Sequence, residues 1–310
     1  MATARKRRPR LTIDGKLSVL AADHPARRVT KVGDHTLAMA DRHDYLARIL
    51  RVLMSHAIDG VMATMDILED LLVIDSLVRE SSGPPLLDGK ILIASLNRGG
   101  LAGTKWEMDD PITGPSPAAC AAWGLDGVKV LLRICDAAPE SLRTLVACAN
   151  VITEANAHHL PTFLEPLPAE AHDGGYRVVK SKKPLAQLAG VASALGDSSR
   201  YLWLKLPYCE GFETVANATT LPILLLGGES AGDAGPFLRE LEAGTAAGTN
   251  VRGALAGRNV LYPGLCDPLA VAGAVGGIVH NHWSFDESMA EAASSSGRDM
   301  DRFRRYLEQT

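Results

Sequence analysis

A lysine sits inside an apolar stretch, Tyr201-Leu-Trp-Leu-Lys205-Leu-Pro-Tyr208. A short apolar run that stops at proline reads as a buried strand of a parallel sheet. Lysine is almost never fully buried without a reason. Desolvation lowers the proton affinity of an ammonium and leaves a free amine near neutral pH. That amine is what a Schiff base with a carbonyl substrate requires. A strand-end lysine that carries its charge out to water is the other reading of the same segment.

Three further segments place charge at strand ends. Gly127-Val-Lys-Val-Leu-Leu-Arg133 carries Lys129 and Arg133 with Leu131 between them. At the strand period of two these share one face, and Val128, Val130 and Leu132 take the other. Thr162-Phe-Leu-Glu-Pro166 ends in Glu165, and the run 17–23 ends in Asp23. A single strand-end acid is ordinarily a helix cap or a solvated loop residue. Together, Asp23, Lys129, Glu165 and Lys205 in one interior can pair their charges, as buried charges must.

Anion-binding signals lie elsewhere. Leu221-Pro-Ile-Leu-Leu-Leu-Gly-Gly-Glu-Ser230 contains Gly227 and Gly228, and Ala254-Leu-Ala-Gly-Arg-Asn259 contains Gly257 and Arg258. Glycine lets backbone N–H groups approach an anion, and arginine grips phosphate through two bonds. A lone Gly-Gly is usually a turn, but the two sites in succession suit a phosphate. Asn97 and Arg98, in Asn97-Arg-Gly-Gly100, and Arg133 are expected to face the rest of a substrate, where the arginines suit a second anionic group. Ion pairs of Arg98 and Arg133 with Asp109, Asp110 or Asp136 are the alternative. His158-His159 and His280-Asn-His282 are the histidine clusters. They lack the carboxylate company of a metal site and read as surface or helix-end residues.

These groups need a scaffold that gathers strand ends. Apolar runs at 17–23, 60–64, 90–95, 127–133, 161–165, 201–206, 222–227 and 253–257 read as eight strands. Segments 42–56, 67–79, 139–157, 186–195 and 234–243 between them have apolar residues spaced for one helical face. Alternation of this kind implies a parallel sheet, and eight units suit a closed (β/α)8 barrel with its chemistry at the carboxyl ends of the strands. An open doubly wound sheet is disfavoured because Asp23-His24-Pro25 offers no glycine-rich dinucleotide turn. One domain is expected over 13–310, preceded by a basic extension at 1–12. Segment 169–183 is either a lid or a loop packed on the rim, and 299–309 is expected as a last helix.

Composition fits. The 310 residues are 46% hydrophobic but only 5% aromatic, which describes an aliphatic globular protein. No run is long and apolar enough to span a bilayer, and the basic start lacks the apolar stretch of a secretory signal. A net charge of −4 argues against nucleic acid as the partner and for a short solvated extension at 1–12. Five dispersed cysteines read as reduced thiols in a cytoplasmic protein, with Cys209 as packing.

The chain resembles the class I, Schiff-base-forming aldolases of the tagatose-bisphosphate and bacterial fructose-bisphosphate type. The segments that carry the likeness are Ala22-Asp23-His24, Gly127-Val-Lys-Val-Leu-Leu132, Phe163-Leu-Glu-Pro-Leu167, Leu204-Lys205-Leu-Pro207, Leu224-Leu-Leu-Gly-Gly228 and Gly257-Arg258-Asn259. More narrowly it resembles an uncharacterised branch of (β/α)8 aldolases associated with inositol breakdown. The resemblance implies that Lys205 forms the Schiff base, Lys129 is its cationic partner, Glu165 transfers protons and Asp23 is a further polar group at the carbonyl. It implies no cofactor, no metal, a small phosphorylated sugar as partner and self-association. The narrower likeness implies cleavage of 5-dehydro-2-deoxy-phosphogluconate to dihydroxyacetone phosphate and malonate semialdehyde. Tagatose- or fructose-bisphosphate or sulfosugar-phosphate cleavage, a metal-dependent lyase and a non-catalytic sugar-phosphate-binding barrel are the alternatives. Two departures bear on the substrate. Lys205 is followed by Leu206-Pro207-Tyr208, unlike the small hydroxylic run of deoxyribose-phosphate aldolases. Arg133 stands where the tagatose-type enzymes carry an aromatic residue, and the Asn97–Gly100 loop also differs from theirs.

Overall fold

Every one of the eight apolar runs forms a strand in the computed structural model, which describes residues 4–230 and 232–295. The barrel strands are β1 (Leu17–Ala22), β2 (Gly60–Ala63), β3 (Ile91–Ser95), β4 (Gly127–Ile134), β5 (Thr162–His172), β7 (Leu202–Pro207), β8 (Ile223–Leu226) and β9 (Val251–Ala256), with β6 (Gly175–Val178) outside the barrel. Each barrel strand pairs parallel with its neighbours. The β4–β5 and β1–β9 pairings close the ring. The fold is a single-domain (β/α)8 barrel. The expected helix at 299–309 lies outside the described residues.

Period-two alternation sorts the side chains. Leu17, Val19, Ala21, Met62, Ile91, Ile93, Phe163, Leu224 and Leu255 form an apolar plug inside the barrel. Val128, Val130 and Leu132 face outward into the larger core under the helices. The plug keeps water out from below, so polar groups above it meet solvent only from the strand carboxyl ends.

Helices Arg42–Leu53, Met65–Glu80, Ser141–Ala157, Lys182–Ser193 and Gly235–Ala246 match the five amphipathic segments within a few residues. Helix Pro268–Asn281 escaped the periodicity because it is buried nearly all round, from Val271 to Val279. Its Pro268 and the Asp267 cap, which accepts from Leu269 N at 2.8 Å, mark its start. Among the described residues no helix is long and apolar enough to cross a membrane.

Most of segment 169–183, read as a lid or a loop packed on the rim, is a β-hairpin. β5 runs past the rim, and Ala169 to His172 pair antiparallel with β6. Asp173 and Gly174, at φ 47° and 77°, make the two-residue turn, as Asp-Gly does in hairpins.

The basic N-terminal segment is not simply solvated. Arg5 is buried, and its guanidinium donates to Lys90 O at 2.8 Å, to Gly124 O at 3.0 Å and to Asp126 at 2.5 Å. Arg8 pairs with Asp59 at 2.8 Å. These partners precede β2, β3 and β4, so the segment ties together the amino ends of the strands. His280 joins the same network, with Nδ1 2.8 Å from Asp14 and Nε2 3.1 Å from Asp59. The Asp59 bond, then Asp14, raises the His280 pKa against the opposing effect of burial. A raised folded-state pKa gives stability that is full below the unfolded value of about 6.5 and is lost as pH rises through the folded value. Thermal melts are therefore expected to show a fall in Tm from pH 6 to pH 8.5 that is absent in His280→Gln. An unchanged slope in the variant removes His280 as its cause.

Candidate active site

Three neighbouring barrel strands bring charged side chains together above the apolar plug. Glu165 from β5 stands between Lys129 of β4 and Lys205 of β7: its Oε2 is 2.7 Å from Lys129 Nζ and 3.1 Å from Lys205 Nζ. Lys129 Nζ also lies 3.3 Å from Asp23 Oδ2, which accepts from Ser95 Oγ at 2.8 Å and pairs with Arg98. Three cations thus face two carboxylates in a nearly dry layer.

The electrostatics follow from that crowding. Burial disfavours the Glu165 carboxylate, but the Lys129 and then the Lys205 ammonium outweigh it and hold the carboxyl well below the usual range. Burial also pushes Lys205 down from its ordinary value. Glu165 opposes the shift, and Arg98 and Arg27 add to it. Lys129 is driven further down by burial, with Arg98 and Lys205 as the like charges. The depression of Lys205 therefore comes first from desolvation, and the cations that deepen it are arginines.

Access separates the two lysines. A cavity of about 610 Å³ opens at the carboxyl ends of the strands, and both Lys205 and Glu165 line it. Lys129 and Asp23 are not on its surface. Asp23 was expected beside a carbonyl. Its carboxylate is instead engaged by Lys129, Arg98 and Ser95 and does not line the cavity.

One wall gathers the glycine turns and Arg258. Gly227, Gly228, Gly257, Arg258 and Asn259 all line the cavity. Arg258 Nε is buried without a hydrogen-bond partner among the described residues. Glycine at 257 is imposed by space, since a Cβ there would lie 2.4 Å from both Ala21 O and His24 Cε1. Gly228 adopts φ 66°, and Lys180 Nζ stands 3.1 Å from where its Cβ would be. Lys180 follows β6, so the hairpin carries a cation to the glycine turn. Glu229 and Glu240 share this wall. Burial raises the Glu240 carboxyl, with Lys180 opposing it.

The opposite wall holds Arg27, Arg133 and Glu107. Arg133 pairs with Glu107 and donates to Gly100 O at 3.0 Å. Arg27 donates to the same carbonyl from Nε at 3.1 Å and Nη2 at 3.0 Å. Asp110 lies 3.8 Å from Arg133. Of the ion pairs weighed with Asp109, Asp110 or Asp136, the structure shows Arg133 with Asp110; the nearer partner of Arg133 is Glu107, and Arg98 pairs with Asp23 instead. Asn97 does not reach the cavity. It is fully buried, and its amide bridges β3 to β4 by donating to Leu131 O at 2.6 Å and accepting from Leu131 N at 2.7 Å.

The sequence reading passed over His24, Arg27, Glu107, Tyr176 and Lys180, all of which line the cavity. His24 follows Asp23 directly and was legible as a strand-end residue. The others come from loops and the hairpin, where no periodicity points inward. Among the described residues no group of three or more His, Cys, Asp or Glu side chains is arranged to hold a metal ion.

Comparison with known proteins gives the chain a family and places its fold. The family profile described as Cgl0159-like matches residues 15–277. The crystal structure of Cgl0159 from Corynebacterium glutamicum (Brevibacterium flavum) is 37% identical over 91% of each chain, with a TM-score of 0.84. An archaeal fructose-1,6-bisphosphate aldolase, solved with its catalytic lysine bound to the carbinolamine intermediate of the substrate, is 21% identical over 86% of this chain and 94% of its own, with a TM-score of 0.59. The fructose-bisphosphate aldolase of Slackia heliotrinireducens is 17% identical over 89% and 85%, with a TM-score of 0.61. At such identities the likeness is one of fold. A search of curated proteins finds no match.

Proposed function

The chain belongs to the Cgl0159-like family, and we propose that it is a class I aldolase that cleaves a phosphorylated keto sugar through a Schiff base on Lys205. The observation that carries this reading is the Lys129–Glu165–Lys205 array, of which Lys205 and Glu165 but not Lys129 line the cavity. The Lys205 amine adds to the substrate ketone. Glu165 takes and returns the protons that turn the carbinolamine into a protonated imine and release water. The imine accepts the electron pair of the breaking carbon–carbon bond. Glu165 then protonates the resulting enamine, and water frees the lysine. Lys129, 2.7 Å from Glu165 and 3.3 Å from Asp23, holds the Glu165 carboxylate in place between steps. The glycine and Arg258 wall fixes the phosphate and so decides which carbonyl meets the amine.

Borohydride reduction in the presence of dihydroxyacetone phosphate tests this directly. Mass spectrometry is expected to find the adduct on the peptide containing Lys205. Absence of any adduct, with activity lost in EDTA, selects a metal-dependent lyase, and ligand binding without turnover selects a binding protein.

The finer reading is cleavage of 5-dehydro-2-deoxy-phosphogluconate. It draws support from Arg27 and Arg133 facing the cavity opposite the phosphate wall. Because Glu107 already engages Arg133, this reading requires the Glu107 side chain to yield to a substrate carboxylate. Fructose and tagatose bisphosphates, a sulfosugar phosphate and this carboxylate-bearing ketose form the panel that decides.

Lys180 gives a second test of the phosphate wall. A charge-assisted bond contributes about 1.5–3 kcal/mol, so Lys180→Ala is expected to raise KM for the phosphorylated ketose roughly tenfold, or about 1.4 kcal/mol. Its kcat should stay within about twofold, because uniform binding is what is lost. An unchanged KM takes Lys180 out of the phosphate grip.

A further inference from the structure

Carbon–carbon cleavage needs a base for the hydroxyl beside the breaking bond. It must be unprotonated, uncommitted and open to the cavity. Asp23 does not line the cavity and its carboxylate is engaged, and Glu165 already serves the proton transfers of the imine and enamine steps. His24 meets the requirement. It opens the turn after β1, where its carbonyl accepts from Arg27 N at 3.1 Å and Val29 N at 3.2 Å, so its backbone is fixed. Its ring lines the cavity against Gly257, whose missing Cβ leaves the room it occupies. Its Nδ1 is buried and has no hydrogen-bond partner among the described residues, so no side chain fixes the tautomer, and the ring edge on the cavity is the one that accepts a proton.

The groups around it keep the ring neutral. Burial lowers its pKa well below the ordinary histidine value, and Arg258 from the end of β9, Lys205 from β7 and Lys129 from β4 push the same way, against Glu165 from β5. Tyr45, from helix Arg42–Leu53, lies against its backbone. A neutral imidazole here is an acceptor that stays available at mildly acid pH.

We infer that His24 is the catalytic base of the cleavage step and the acid of its reversal, a role that rests on the Schiff-base reading above. In cleavage, the imidazole takes the hydroxyl proton and the O–H electron pair becomes the carbonyl bond of the departing aldehyde. The carbon–carbon pair moves onto the protonated imine to give the enamine. In condensation the imidazolium returns that proton to the new alkoxide. No other reactant is needed.

The test separates partial reactions in His24→Gln and His24→Asn, using dihydroxyacetone phosphate as donor and glyceraldehyde 3-phosphate, glycolaldehyde or malonate semialdehyde as acceptor. Enamine chemistry precedes the step assigned to His24. Borohydride trapping on Lys205 and exchange of the donor's α-hydrogen with deuterated solvent are therefore expected at wild-type levels. Condensation is expected to fall about 10²–10⁴-fold, and the acid limb of the kcat/KM profile to vanish. Wild-type condensation in either variant overturns the inference. So does a parallel loss of trapping and exchange, which would mean that the residue acts by supporting Lys205. If the wild-type protein itself yields no adduct, the Schiff-base reading fails, and that result is distinct from either of these.

Discussion

Lys205→Met is expected to lower turnover by roughly 10⁴-fold or more, the scale of losing a covalent nucleophile, and to leave no borohydride adduct. The same substitution at Lys129 should behave differently. Lys129 is not on the cavity surface, so Lys129→Met is expected to remain trappable while turnover falls, because Glu165 then has one cation where it had two. An adduct on Lys129 in Lys205→Met protein would reverse the assignment. Stability supplies an independent readout. Lys129, Lys205 and Arg98 share two ion-paired carboxylates, Glu165 and Asp23, so basic groups outnumber their paired acids in this buried layer. Methionine has a similar length and no charge. Lys205→Met is therefore expected to melt at or above the wild-type temperature, as when function has been kept at a cost in stability. A variant that is both inactive and less stable would mean that the two lysines and Glu165 form a structural ion cluster.

What the sequence made visible follows from periodicity. Two residues that alternate along one strand must share a face, so the inward pair Lys129 and Arg133 and the outward Val128, Val130 and Leu132 were readable without coordinates. The strands themselves were readable because buried parallel strands are continuous apolar runs. Where the reading went astray, the chain leaves regular structure or the neighbour is distant in sequence. Asp23 and His24 are adjacent at the end of β1, yet the imidazole lines the cavity and the carboxylate does not. Asn97 is polar in a polar loop, and only the register of β3 against β4 shows that its amide is consumed by Leu131. Arg5 looked like tail charge until Asp126, far along the chain, supplied a buried partner. Lys180 reaches the glycine turn because β5 overruns the barrel and turns back at Asp173-Gly174, a hairpin hidden in a segment without strong apolar alternation.

Glu165→Gln shifts the charge of the same layer in the opposite direction to Lys205→Met, so its effects should be opposite in stability and equally severe in activity. The amide cannot shuttle protons, and a loss of about 10²–10⁴-fold in turnover is expected. Three cations would then face Asp23 alone, and an uncompensated buried charge costs about 3–5 kcal/mol. Part of that cost can be relieved by shedding protons. The lysines, already lowered by burial, would fall further without their anion. Their folded-state pKa values then lie below the unfolded value of about 10.4, the unfolded chain binds more protons in that window, and stability rises with pH across it. On the acid side the wild type changes instead. The Glu165 pKa is depressed in the fold, so its contribution is present above the unfolded value of about 4.3 and is lost as pH falls below it. The gap in Tm between wild type and Glu165→Gln should accordingly be widest near neutrality and narrow toward both pH 4 and pH 10. Melts across that range measure it directly. A gap that stays constant with pH would show that Glu165 contributes through packing and that the lysines do not depend on its charge, which would remove the electrostatic basis for an activated Lys205.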